Sequence, residues 1–128
     1  MINGRKIVTI CGSTRFVEEY KQAAKQLTLD GKIVLSVGMF GHSPDDSGKG
    51  KDGEEFTVLD EETKEKLDEL HKDKIRMSDE IYVLNKNGYI GESTRSEIEL
   101  ADKLGVSVKY RFGMGKQKGK KLSDGEDK

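Results

Sequence analysis

Short β-branched runs alternate along the chain with stretches whose apolar residues recur at helical spacing. Lys6 to Cys11 reads Lys-Ile-Val-Thr-Ile-Cys and stops at Gly12, which predicts a first strand. From Phe16 the spacing changes: Phe16, Tyr20, Ala23, Ala24 and Leu27 fall at i, i+4, i+7, i+8 and i+11, one face of a helix. Ser13 or Thr14 is placed to cap that helix, Glu18 and Glu19 lie in its first turn where the dipole favours anions, and Asp30-Gly31 ends it. Lys32 to Phe40 predicts a second strand. Gly41 to Glu55, rich in Gly, Asp, Ser and Lys and holding the single proline, Pro44, predicts a mobile loop and a candidate lid. A charged helix follows from Asp60 or Thr63, with Leu67, Leu70, His71, Lys74 and Ile75 along one side. Glu80 to Asn85 predicts a third strand, and Asn87-Gly88 through Glu92 a loop with two glycines. Ser93 or Thr94 opens a last helix, Gly105 stops it after Leu104, and Val106 to Phe112 predicts a fourth strand.

The order β-α-β-loop-α-β-α-β implies a parallel sheet with right-handed crossovers. The expected fold class is α/β: a small, doubly wound, Rossmann-like or flavodoxin-like sheet of about four to five strands in the order 2-1-3-4. In that arrangement the topological switch point lies between the first and third strands, and ligand binds at their carboxyl ends. The turns that converge there are Gly12-Ser13-Thr14-Arg15 and Asn85 to Ser93, two polar, glycine-containing strand-to-helix connections.

Composition narrows the functional classes. The 128 residues suit one domain, expected over residues 1–112, with a flexible charged tail over 113–128. Lys+Arg 23 against Asp+Glu 24 leaves a net charge of -1, which argues against a polyanion-binding surface, so no nucleic acid is expected as a partner. A polar N-terminus and the lack of a long apolar run predict a soluble, cytoplasmic protein with no membrane association. One cysteine excludes an intramolecular disulfide framework and any Cys-rich zinc site. His42 stands alone in the loop, and no His/Cys/Asp/Glu set shows ligand spacing, so neither a metal nor a cofactor is expected.

The two convergent turns carry the candidate chemistry. Gly12 lets a ligand approach the backbone, while Ser13, Thr14, Arg15 and the helix N-terminus offer donors to a phosphate or another electron-rich oxygen. The pattern is neither a Walker A loop nor a dinucleotide fingerprint. In the last helix Glu97, Ala101 and Leu104 share a stripe with Leu100 alongside, whereas Glu99, Asp102 and Lys103 fall on the other side. Glu97 is thus expected to face the crevice from the first turn. The same spacing also reads as a capping box, in which Thr94 and Glu97 bond only to nearby backbone. His71 lies on the core side of its helix with Asp68 and Asp73 close in sequence. Tyr89 can stack on a base or ribose, or anchor its loop. Cys11 ends a buried strand with no base visible in the sequence, which favours an inert thiol.

Ile-Cys-Gly-Ser-Thr-Arg after the first strand, Ser-Asp-Glu-Ile-Tyr-Val-Leu before a glycine loop, and Ser-Glu-Ile-Glu-Leu-Ala in the last helix resemble the nucleoside 2-deoxyribosyltransferase superfamily. That group includes the related 2'-deoxynucleoside 5'-phosphate N-hydrolases, and the likeness runs from Lys6 to about Phe112. The resemblance implies that Glu97 is a nucleophile that attacks C1' of the sugar, expels the base and is released by another base or water. The chain departs from the family pattern where an aspartate assists the leaving base: that position falls on His71, with Asp68 and Asp73 nearby. By the same resemblance Gly91 and Ser93 lie near the sugar 5' end and, with Ser13 and Arg15, would hold a 5'-phosphate. A homodimer or higher homo-oligomer is implied as well. A nucleoside and a nucleoside 5'-monophosphate both remain open as substrate. The rivals are a non-catalytic module that senses a nucleotide in the same crevice and an interaction domain without a ligand.

Overall fold

The computed structural model describes residues 1–38 and 61–113. The predicted loop and lid at Gly41 to Glu55, with His42, and the predicted tail beyond Gly113 lie outside the described residues. Strands β1 (Ile7–Gly12), β2 (Ile33–Leu35), β3 (Glu80–Leu84) and β4 (Ser107–Tyr110) form one parallel sheet in the order β2-β1-β3-β4. Helices α1 (Val17–Leu29), α2 (Glu61–Arg76) and α3 (Glu92–Leu104) flank it, as expected for a doubly wound α/β domain. Among the described residues no helix is long and apolar enough to cross a membrane.

The strand period of two sorts β1 and β3 onto two cores. Val8, Ile10 and Leu84 pack with Tyr20, Ala23 and Leu27 of α1 on one face. Cys11, Ile81 and Val83 pack with Ile75 of α2 and Ala101 of α3 on the other. Each fully buried Val, Leu or Ile contributes roughly 1.5–3 kcal/mol. Thr9 points the same way as Cys11 and is fully buried, but it is satisfied: its Oγ1 lies 2.6 Å from Ser78 Oγ, whose own proton goes to the Lys74 carbonyl at 2.8 Å.

Several predicted boundaries shorten for identifiable reasons. The second strand was expected to run to Phe40, yet pairing ends at Leu35, where Lys74 Nζ donates to the Ser36 carbonyl at 2.6 Å. A lysine from α2, rather than a neighbouring strand, satisfies that carbonyl. The third strand ends at Leu84 because Asn85 turns its side chain across to the segment after β4. Its Nδ2 donates to the Phe112 carbonyl (2.8 Å) and its Oδ1 accepts from the Phe112 N–H (2.9 Å). This amide stands in for a strand pair and explains why β4 stops at Tyr110. Two apolar side chains expected to face inward do not: Leu70 and Leu104 are 52% and 46% exposed.

Replacing this clamp provides a test of the sheet's carboxyl end. Asn85→Ala removes an acceptor and a donor from Phe112 and is expected to lower unfolding stability by about 1–3 kcal/mol. Urea titration followed by circular dichroism measures this, and an unchanged midpoint would show that the clamp carries no load.

Candidate functional site

At the carboxyl ends of β1 and β3, where the chain leaves the sheet toward opposite faces, a cavity of about 360 Å³ opens. Small-molecule sites span roughly 300–1,000 Å³, so the space admits a ligand the size of a nucleoside. Gly12, Ser13 and Thr14 form one wall, and Tyr89, Gly91 and Ser93 another. Asp68 and His71 enter from α2, and Glu97 from α3. Nine of the ten residues singled out in the sequence therefore line one crevice.

The exception is Arg15. It is exposed, its guanidinium sits 5.1 Å from the centre of the Tyr89 ring, and it does not line the cavity. Tyr89 also meets Phe16 edge-on at 6.0 Å. The Arg15–Tyr89–Phe16 stack ties the β1–α1 turn to the β3–α3 loop, so part of Tyr89's role is to anchor its loop. Ser13 and Thr14 do not cap α1 either. The N-cap is Phe16 without a side-chain bond, and the Ser13 carbonyl accepts from the Phe16 N–H (3.0 Å) to close a turn before the helix starts. The β1–α1 turn is fixed from inside by Tyr20, whose hydroxyl donates to the Gly12 carbonyl at 2.7 Å.

Glu97 sits in the second turn of α3, not the first, because the helix begins at Glu92 with Gly91 as N-cap. Thr94 thus lies inside the helix, buried at 3% exposure, and the capping-box alternative is not formed. Glu97 and Ala101 share the buried stripe of α3, as His71 and Ile75 share that of α2. In both helices the stripe changes from apolar to polar one turn earlier, at the crevice end. Glu99 is exposed.

Cys11 joins these two polar positions. Its Sγ lies 3.6 Å from His71 Nε2, and His71 Nε2 lies 3.9 Å from Glu97 Oε1. The three side-chain donor atoms fall within 4.8 Å of one another, and all three residues are buried. The sequence showed no partner for this thiol because His71 is 60 residues away. The available signal was register: Cys11 follows Thr9 on the face that α2 and α3 cover. Tyr20 and Thr94 are further crevice residues that the motifs did not reveal.

Burial sets the protonation of the cluster. The Cys11 thiol is pushed well above its ordinary range, first by burial and then by the Glu97 charge and its hydrogen bond to that carboxylate. It remains a protonated donor. His71 is lowered to about 4 by burial, with the Lys74 charge adding to the effect and the Ile10 backbone opposing it. The ring is neutral at pH 7, and its buried Nδ1 has no hydrogen-bond partner among the described residues. Glu97 is raised to about 7, again mainly by burial; Asp68 reinforces the shift, while the Cys11 thiol and Lys72 counter it. An acid whose pKa is raised on folding stabilises the native state less as pH climbs from its unfolded value through the folded one.

That linkage has a measurable sign. Glu97→Gln is expected to be more stable than the parent at pH 8, by about 3 kcal/mol, with the advantage disappearing near and below pH 4, where the carboxyl is largely protonated in both the folded and the unfolded protein. Paired urea titrations at the two pH values check this, and an equal difference at both would contradict a buried, destabilised carboxylate. In comparisons with known proteins, no family model, curated protein or solved structure matches this chain.

Proposed function

We propose that the protein cleaves or transfers the N-glycosidic bond of a (deoxy)nucleoside or nucleoside 5'-monophosphate, with Glu97 as nucleophile. The observation that carries this reading is a buried carboxylate that faces a nucleoside-sized crevice and is not used to cap its own helix. Its immediate neighbours, a neutral imidazole and a protonated thiol, leave its charge largely uncompensated. Such a group stabilises positive charge developing at C1' and can then capture the sugar as an ester. The C1'–N bond breaks as the new C1'–O bond forms, and water or a second base attacks C1' on the same face to free the carboxylate. The motif likeness to nucleoside 2-deoxyribosyltransferases supports the same assignment.

Of the two candidate acids, neutral His71 has no imidazolium proton to give at pH 7. Asp68, the other candidate, lines the crevice wall with Glu97, and His71 packs against the Cys11 thiol beside the carboxylate. Gly12, Ser13, Gly91 and Ser93 form the cradle for the sugar and its 5' substituent, with Arg15 held at the rim by Tyr89. The accompanying proposal of a homo-oligomer is supported by large apolar side chains left exposed, Leu29 at 76% and Met77 at 62%.

The test is incubation with a panel of 2'-deoxynucleosides and their 5'-monophosphates, with and without an acceptor base, followed by chromatography for free or exchanged base. Turnover is expected to fall by about three orders of magnitude or more in Glu97→Ala and to stay near the parent value in Glu99→Ala. Because attack requires the ionised carboxylate, the rate is expected to rise with pH through about 7 and then level off. Panel members that bind by calorimetry but release no base would replace this proposal with a nucleotide-sensing module.

A further inference from the structure

We infer that Cys11, His71 and Glu97 form a binding site for a divalent transition ion of the zinc type at the floor of the crevice. The spacing of the three groups also suits a shared ion. The Cys11 thiol hydrogen-bonds within the cluster, 3.6 Å from His71 Nε2, whereas His71 Nε2 and Glu97 Oε1, at 3.9 Å, are too far apart to bond to each other directly. Two ligands on one tetrahedral zinc, with bonds of about 2.3 Å to sulfur and about 2.0 Å to nitrogen, stand about 3.5 Å apart. The third ligand atom lies within the same 4.8 Å sphere, so closing the set needs only small side-chain rotations.

Donor chemistry selects the ion class. One thiol, one imidazole and one carboxylate suit zinc or cobalt, whereas magnesium and calcium require oxygen ligands. His71 and Glu97 line the cavity, with Cys11 fully buried behind them, so a fourth position on the ion would face the crevice, as in catalytic rather than structural zinc sites. Binding replaces the thiol S–H bond with a sulfur–metal bond and releases that proton to solvent, so affinity increases with pH. Asp68 adds favourable charge beside the site, and Lys72 and Lys74 oppose it. A metal on Glu97 Oε1 also withdraws the carboxylate from C1', so metal and glycosyl chemistry exclude one another. Only this last consequence rests on the proposed function.

Cobalt(II), a spectroscopic substitute for zinc, tests the site directly on the full chain after chelator treatment and dialysis. The expected result is 1:1 binding with an intense near-ultraviolet thiolate-to-cobalt band, displaced by zinc. The chain has a single cysteine, so that band can arise only from Cys11. Cys11→Ser should abolish the band, and His71→Gln should weaken cobalt binding by at least about tenfold, with Glu99→Gln unchanged. Saturable binding without the band, or no 1:1 binding, overturns the inference. The readout is absorbance, so it decides the metal site whether or not the base-release assay succeeds. Where turnover is observed, zinc at one equivalent should suppress it, and full activity in the zinc-loaded protein would overturn the mutual exclusion.

Discussion

At the carboxyl end of the β1–β3 ladder Gly12 pairs with Leu84, and a Cβ on Gly12 would lie 2.9 Å from the Leu84 Cβ. The backbone there has φ +155°, a conformation side chains rarely adopt, so glycine is required for both space and geometry. This close approach brings the last turn of β1 and the exit of β3 together. Because α1 covers one face and α2 and α3 the other, the chain departs from the two strands in different directions and leaves the crevice between them. The same register places Cys11, one residue earlier, on the α2 and α3 face. From there the thiol reaches His71 and Glu97.

The Cys11–His71–Glu97 cluster works against the fold that holds it. An apolar residue at position 97 would continue the Ala101 stripe without the desolvation that raises Glu97 to about 7. Among the described residues no lysine or arginine pairs with the carboxylate, and the adjacent His71 is itself driven neutral. Local departures of this kind, polar groups at the end of otherwise consistent apolar stripes, are characteristic of sites kept for chemistry rather than stability. Electron-poor species relieve the cluster, whether a sugar carbon during departure of a base or a divalent ion. The glycosyl-transfer proposal and the metal inference therefore share one electrostatic origin.

Much of this was legible in the chain itself. The β-branched runs around Ile7 and Ile81 and the stripe through Tyr20, Ala23 and Leu27 specified the strand order and the layers, because local periodicity and tertiary burial agree there. Boundaries were less legible where a side chain replaces a backbone partner, as Asn85 does for Phe112 and Lys74 does for Ser36. The inward direction of Glu97 was legible from helical spacing alone. Its neighbours were not: the contact of Cys11 with His71 depends on how β1 and α2 pack, and neither sits in a motif with the other. The direction of Arg15 was not legible, because proximity to a glycine turn does not specify it; its guanidinium lies over the Tyr89 ring rather than among the residues that line the cavity.

The most direct test of the central claim is to look for the ester itself. Protein quenched in acid during incubation with 2'-deoxynucleosides and their 5'-monophosphates can be weighed intact and then mapped by peptide mass spectrometry. A glycosyl adduct on the peptide that carries Glu97, at that side chain, is the predicted result. Base release accompanied by an adduct on Asp68 or Cys11 instead would contradict the account.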